Sequence, residues 1–549
     1  MAMTQTEILE SDEQPTRGYA VGVQLFDRIR ESGAVYVDKT PYVWKMVTTK
    51  AVNFFLSRPR RFGKSLLVDT LRCYFEGRKE LFEGLYIYDK EKEWRKYPVI
   101  RLDLSNGKYY EKERVHATIN FILEQQEKKF GITKPEDLTN YDVRLSRLIK
   151  AAYEQTGEKV VVLIDEYDAP MLDSINDPAL QDYIRNHVRN LFSPLKAQSQ
   201  YLRFVFLTGI SKFSQLSVFS ELNNLQQLTF DPEYEGICGI TEEELLTQLK
   251  PDIEMLCEKR NRLDKPYGYV NTYDSIVADL KYWYDGYHFS RIMTDVYCPW
   301  SLVSAFAMGD IMNFWFSTGT PTSLINILRT RTNISITDLE GYSAKMSRFD
   351  APTERITDPI PALYQSGYLT LKGYNRQRNE WKLGFPNEEV REGFAECLYK
   401  YYMEDYVGSG DALGIAFNDL RFKDKTFEQF VDVIRRWYAG IPYSITDKNQ
   451  NEQLYQSLLY AAFMAVGADI SAEEQTSDGR MDIVLKVPDA IYILELKYGK
   501  TAEDATDQII RKDYAARFAA DSRPVWAVGL NISQDRRTID QYKIVQVKE

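Results

Sequence analysis

SRPRRFGKSLL, Ser57 to Leu67, ends as a phosphate-binding loop ends and begins differently. The pattern for such a loop is G-x-x-x-x-G-K-[ST]. Gly63, Lys64 and Ser65 supply its close, while Arg58 stands where the first glycine belongs. The chemistry rests on backbone N–H groups at a helix N-terminus, with a lysine reaching the terminal phosphates. Gly63 permits close backbone approach, Lys64 brings a point charge, and Ser65 offers a hydroxyl for Mg²⁺. Arg58 is hindered if its position needs a positive φ, and Pro59 stiffens the next residue. Arg58, Arg60 and Arg61 are expected to add charge beside the phosphates; Pro59 and Phe62 complete the loop.

The flanks supply the context. VNFFLS (52–57) is a short apolar run that reads as a buried strand, and SLLVDTLRCYF repeats Leu66, Leu67, Leu71 and Phe75 at helical spacing. Three further apolar runs follow: YPVIRLDLS (97–105), KVVVLIDEYD (159–168) and YLRFVFLTGIS (201–211). Helical stretches separate them at 110–130, 140–156 and 180–196. Alternating strands and helices predict a parallel sheet covered on both faces. This first domain is placed at 17–235, after a loose tail of residues 1–16. Asp165 and Glu166 close the second of these runs. Asp165 suits a water-mediated hold on Mg²⁺, and Glu166 suits activation of an attacking water. Thr208, at the end of the next run, is placed to sense a γ-phosphate; Asn223 and Asn224 are weaker candidates for that role.

The bulk numbers narrow the options. At 549 residues the chain is too long for one hydrophobic core. A net charge of -11 argues against a globally basic nucleic-acid binder but leaves room for a local basic groove. Five scattered cysteines without a C-x-x-C pair point to a reducing cytoplasm. The three histidines, His116, His187 and His288, stand far apart in sequence, which argues against a histidine metal site. The polar N-terminus lacks the features of a signal peptide, and no run suits a membrane span.

From 236 to 445 the pattern is mostly helical. GITEEELLTQL carries a capping box, Thr241 with Glu244. LYQSGYLTLKGY (363–374) and EWKLGFP (380–386) read as a hairpin, so a winged-helix-like unit and a helical lid both fit.

A third domain is placed at 446–549. NEQLYQSLLYAAFMAVG (451–467) reads as an amphipathic helix, with Leu454, Leu458, Ala461 and Ala462 on one stripe. Three strands follow, then a helix at 503–518 and a strand at PVWAVGLNI. Within GRMDIVLKVPDAIYILELKYGK (479–500), Glu495 and Lys497 are two residues apart and share a strand face. A hairpin through Pro488 and Asp489 brings Asp482 beside Glu495. Two carboxylates there make a hard-oxygen site for Mg²⁺, and the lysine steadies charge or orients water. Glu452 on the preceding helix adds a further oxygen, and Gln508 on the following helix positions substrate or water. The plainer reading is a surface ion pair. The apolar setting YILELKY weighs against it, because a charge in such a strand is costly unless paired or functional.

At this point the chain resembles a known family. YVDKT (36–40), RPRRFGKS (58–65), YPVIRLDLS (97–105), LIDEYDAP (163–170) and TGISKFS (208–214) resemble the bacterial AAA-ATPase-like family. GRMDIVL and YILELKYGK resemble the PD-(D/E)XK nuclease domain commonly fused to it. The resemblance implies that the arginine-rich loop is the family's usual form. It implies that Lys64 and Ser65 bind phosphate and Mg²⁺, with Asp165 and Glu166 as the Walker B pair. It makes Glu452, Asp482, Glu495, Lys497 and Gln508 the nuclease positions. The expected fold is α/β: an N-terminal P-loop NTPase, a helical or winged-helix-like middle, and a C-terminal restriction-endonuclease-like domain. The expected function is ATP binding and hydrolysis coupled to Mg²⁺-dependent cleavage of nucleic acid, DNA more than RNA. Nucleotide binding is expected to close the first domain against the helical region. The alternative is a nucleotide-controlled switch whose C-terminal domain binds a partner or nucleic acid without cleaving it. No membrane is expected as partner, and a homo-oligomer is left open.

Overall fold

The computed structural model describes residues 18–105, 107–133, 137–174, 177–211, 225–316, 339–351, 359–402, 415–417, 419–421, 426–439, 452–465, 468–472, 475–476, 479–480 and 482–549. The tail 1–16, Asn223 and Asn224 lie outside the described residues. The chain divides into two compact units: one takes in residues up to Phe314 with Ala344–Lys382, the other Trp315–Ser343 with Leu383–Glu549.

In the first unit the four apolar runs become strands β1 (Asn53–Ser57), β2 (Val99–Asp103), β3 (Val160–Asp165) and β4 (Leu202–Gly209), and a short fifth strand that the sequence did not disclose, β5 (Leu225–Gln227), joins them. They form one sheet in the order β2-β3-β4-β1-β5, and all pairings are parallel. β3 is buried along its whole length, as a strand covered on both faces must be. Helices α1 (Lys64–Phe75), α2 (Lys112–Lys129), α3 (Tyr141–Thr156) and α4 (Pro178–Phe192) supply the cover. Leu123, Leu145, Ile149 and Ile184 meet Val162 and Ile164 in one core. The register Ser57 opposite Gly209 and Asp103 opposite Asp165 lines up the carboxyl ends of the strands. Ligands of open parallel sheets bind beyond that edge.

Sequence spacing kept the histidines apart, but folding brings two together. α2 and α4 lie side by side, so the His116 and His187 rings are 5.1 Å apart. Both nitrogens of His116 meet tyrosine hydroxyls, of Tyr141 and Tyr183.

The rest of this unit is largely helical: α5 (Glu242–Gln248), α6 (Lys250–Asp264), α7 (Tyr273–Tyr284) and α8 (Pro299–Met308). The Thr241–Glu244 capping box forms as read. Leu245, Ile253, Ile276, Leu280 and Leu302 share a second core. The hairpin is present as neighbouring strands β6 (Thr370–Asn375) and β7 (Glu380–Gly384).

The second unit contains α9 (Glu388–Tyr402), α10 (Phe427–Ala439) and α11 (Glu452–Ala465). Its sheet comprises β8 (Asp469–Ala472), β9 (Ile483–Val487), β10 (Ala490–Tyr498), β11 (Val525–Ile532) and β12 (Ile539–Lys548), neighbours in that order. Only the β10–β11 pair is parallel, and α12 (Ala502–Arg511) makes that crossover. Two readings need correction. α11 is not amphipathic, since residues 455–464 are all buried. It packs against α9, β8 and β10, so the stretch 455–464 leaves no face for solvent. β12 went unread because it is an edge strand, half-exposed for most of its length, so its apolar alternation is diluted.

Candidate functional site

The loop after β1 solves its geometry in its own way. Positive φ falls at Arg61 (68°) and Gly63 (85°), not at Arg58. Gly63 caps the N-terminus of α1 in the left-handed region that glycine enters freely. Arg58 instead prolongs the sheet, its N–H donating to Gly209 O at 3.3 Å. Its side chain, 1% exposed, turns inward. The guanidinium donates to the carbonyls of Ser57 (3.0 Å), Thr229 (2.9 Å) and Tyr234 (3.1 Å) and lies 4.0 Å over the Phe289 ring. Burial lowers its pKa to about 10. The expectation that Arg58 adds charge beside the phosphates is therefore overturned: it is a strut under the loop. Arg61 is likewise engaged elsewhere, donating to Phe314 O at 2.8 Å and lying 5.1 Å from the Trp300 ring. Phe62 is an anchor, edge-on to Tyr287 at 4.7 Å and Phe289 at 5.6 Å. Of the three arginines, Arg60 is the exposed one.

The remaining positions converge. Lys64 Nζ donates to Pro59 O at 3.1 Å and lies 3.3 Å from Glu166. Ser65, in the first turn of α1, favours the ionised form of Asp165. Asp165 is buried, and its Oδ1 has no hydrogen-bond partner among the described residues. Burial first, then the Glu166 charge, pushes its carboxyl up to about 6, with Ser65 and Lys64 opposing. The bare oxygen beside a serine hydroxyl suits a Mg²⁺ ligand pair. Glu166 has φ 48°, a strained backbone of the kind functional sites hold. Thr208 is buried with a hydroxyl that has no partner among the described residues, and its carbonyl accepts Tyr167 N–H at 3.2 Å.

Sequence reasoning missed two neighbours. Asp168, three residues past Asp165, is fully buried and accepts from Ile210 N (3.0 Å), Ser211 N (2.6 Å) and Ser211 Oγ (2.6 Å). It ties the loop after β3 to the loop after β4, and Gly209 leaves the room: a Cβ there would strike Asp168. The signal was the second aspartate of IDEYD. Arg101 on β2 binds Asp69 at 2.9 Å and stands 4.0 Å from Asp165; an arginine in the apolar run YPVIRLDLS was its signal.

The second centre is assembled by register. Ile483 pairs with Leu494 across the β9–β10 hairpin, so Asp482 comes level with Glu495. Asp482 Oδ2 accepts Leu496 N–H at 2.8 Å. Lys497 Nζ donates to Glu495 (2.9 Å), Glu452 (3.1 Å) and its neighbour's carbonyl at Leu496 (3.1 Å). Gln508 on α12 donates to the same Glu495 oxygen, Oε1. Glu495 Oε2 is buried and has no partner among the described residues. Burial, and next the Asp482 charge, pushes the Glu495 carboxyl up to about 8. The Glu495 and Glu452 charges hold Lys497 above its ordinary range against the opposing effect of burial. All five expected positions thus meet in one place, with an orphaned carboxylate oxygen that fits a divalent cation.

The chain has counterparts among known proteins. The family model described as "Predicted AAA-ATPase" matches residues 20–219, and that of the PD-(D/E)XK nuclease superfamily matches residues 450–542. An "Uncharacterized protein in vnfD 5'region" from Azotobacter chroococcum mcd 1 is 32% identical over 534 residues, covering 94% of this chain and 97% of the relative. No solved structure matches the chain at a significant level. Among the described residues, no helix is long and apolar enough to cross a membrane.

Proposed function

The chain belongs to the AAA-ATPase-like family with a C-terminal domain of the PD-(D/E)XK nuclease superfamily, and from that premise we propose that it hydrolyses ATP and cleaves nucleic acid with Mg²⁺. One observation carries the proposal: each unit holds a buried carboxylate oxygen, on Asp165 and on Glu495, with no hydrogen-bond partner among the described residues. Burying such an oxygen bare is costly, and a cation relieves it.

In the first site the N-terminus of α1 and Lys64 neutralise the β- and γ-phosphates. Ser65 and Asp165 hold the cation, Glu166 orients the attacking water and takes its proton, and Thr208 contacts the γ-phosphate. In the second site Asp482 and Glu495 hold the metal. Lys497 and Gln508 fix Glu495 from one side, leaving Oε2 for the cation, and Lys497 steadies the negative charge that develops on the phosphate. Glu452 keeps the lysine in place. Mg²⁺, when bound, supplies charge neutralisation at both sites. The substrate we propose is DNA more than RNA. The domain limits 17–235, 236–445 and 446–549, and a winged-helix-like grouping in the middle, belong to the same proposal.

The test incubates the full chain with plasmid DNA and with RNA, with and without ATP and Mg²⁺, beside Lys64→Ala and Glu495→Ala. Lys64→Ala is expected to lose ATP hydrolysis, and Glu495→Ala to lose cleavage. A wild-type chain that hydrolyses ATP and cuts neither polymer would replace this reading with a nucleotide-controlled switch.

A further inference from the structure

The turn joining β11 to β12, residues 533–538, lies at the same end of the sheet as Lys497. β10 and β11 run parallel with Lys497 opposite Asn531 and Tyr498 opposite Ile532, so the two strands end together. Gly499 N donates to Ile532 O at 2.9 Å. A Cβ on Gly499 would run into the Gln534 side chain, so the turn is pressed against the residue two beyond Lys497. Asn531 fixes both sides of this junction: its Oδ1 accepts Lys500 N–H and its Nδ2 donates to Asp540, each at 2.8 Å.

The turn itself is rigidly closed. Arg537 N donates to Ser533 O at 2.9 Å and Ser533 N to Thr538 O at 3.0 Å. Arg537 has φ 56°, a conformation that a residue other than glycine holds only when its surroundings impose it. Thr538 Oγ1 donates to Arg435 O on α10 at 2.6 Å.

This fixed turn presents cations. Arg536 and Lys500 are exposed and make no ion pair among the described residues. Burial, with Tyr498 adding to it, pushes the Tyr455 phenol up to about 12, and the Arg537 charge opposes it. Tyr455 stands one helical turn from Glu452 and stacks on Tyr498 at 5.7 Å. Of the three acids of α12, Asp507 is exposed and the two nearest its N-terminus are engaged. Asp504 caps its own helix through Thr501, and Glu503 pairs with Lys543 at 2.6 Å. Asp535 is the turn's own acid, against two arginines.

We propose that Lys500, Arg536 and Arg537 form a clamp for the phosphate backbone, laying a nucleic-acid strand across the Asp482–Glu495–Lys497 centre. The proposal rests on the nuclease reading and deepens it. Charge selects the occupant: in a chain of net charge -11, guanidinium groups held at a strand end match the phosphates of a polyanion.

The experiment titrates the full chain, in EDTA to prevent cleavage, into labelled single-stranded and duplex DNA and into RNA over a range of salt. Arg536→Glu/Arg537→Glu is compared with Arg376→Glu/Arg378→Glu, the same charge change on the exposed β6–β7 turn. The clamp variant is expected to bind at least about tenfold more weakly, and its log affinity against log salt to lose nearly two units of slope on duplex. The control is expected to bind as wild type does. Equal salt slopes and affinities for clamp variant and wild type would overturn the clamp alone. A wild-type chain that binds none of the three polymers would overturn the clamp and the nuclease reading together.

Discussion

The two units bury a carboxylate beside a lysine in opposite ways. In the first, Lys64 pairs among the described residues with one carboxylate, Glu166 at 3.3 Å, and the acid with the orphaned oxygen is a different one, Asp165. In the second, Lys497 is held by two carboxylates, at 2.9 and 3.1 Å, and one of these is the acid with the orphaned oxygen. On the proposed function, the first lysine would turn to a phosphate, whereas the second is tied to the acid that would carry the metal. The support also differs. The first pocket is made by local backbone, a left-handed Gly63 at the start of a helix. The second depends on strand register and on two further elements, α11 and α12, so a slip of one residue would turn Asp482 away from Glu495.

That difference predicts where single changes hurt most. Asp482 serves the second centre twice, as a carboxylate level with Glu495 and as the acceptor for Leu496 N–H. Asp482→Asn keeps the size and one acceptor oxygen but removes the charge. It is expected to reduce Mg²⁺-dependent cleavage by on the order of a hundredfold or more while leaving ATP hydrolysis within about twofold, measured on the same preparation. Loss of both activities together would break the contrast, since it would make the two centres one energetic unit.

Arg58 sharpens the other side of the comparison. If the loop is held by local backbone, this residue supports it without touching phosphate. Arg58→Met keeps the stem that covers Phe289 and removes donors from three carbonyls. The variant is expected to lose roughly 3 kcal/mol of stability, read by chemical unfolding. Nucleotide affinity at low temperature, where the variant is still folded, is expected to stay within about threefold. A collapse of affinity with unchanged stability would return Arg58 to the phosphates.

The same contrast explains what the sequence disclosed. Four strands of the first sheet were legible because each is a run of apolar residues, VNFFLS and VVVLID among them, and each run ends where chemistry can sit; the edge strand β5, Leu225–Gln227, has no such run and went unread. The second centre was legible because Glu495 and Lys497 interrupt an apolar strand and a short turn fixes their partner. What escaped depended on contacts between distant segments. The inward turn of Arg58 is set by carbonyls at Thr229 and Tyr234, far along the chain. Asp168 needs Gly209 and Ser211 to show its role, and the meeting of His116 with His187 needs two helices to pack. Periodicity carries no record of such partners.

A buried acid outside both centres supplies the baseline for their raised carboxyls. Asp285, in YWYDGYHF, is 3% exposed at its side chain, and Lys281 stands 3.9 Å away. Burial, with help from Asp295 and Glu242, pushes its carboxyl up to about 7, against bonding from Gly286 and the Lys281 charge. The unfolded chain gives up this proton near the ordinary 3.8, before the folded chain does. Between those values the folded state binds more protons, so the Asp285 contribution to stability is full at low pH. It is lost as pH rises through about 7 and is constant beyond. Asp285→Asn removes the titration and keeps the shape. Its unfolding free energy relative to wild type is expected to rise by roughly 1–2 kcal/mol between mildly acid and mildly alkaline solution. A flat difference would mean that burial alone does not raise a carboxyl in this fold. The shifts at Asp165 and Glu495 would then have to come from their acidic neighbours, Glu166 and Asp482, and the two centres would be alike in cause although they differ in construction.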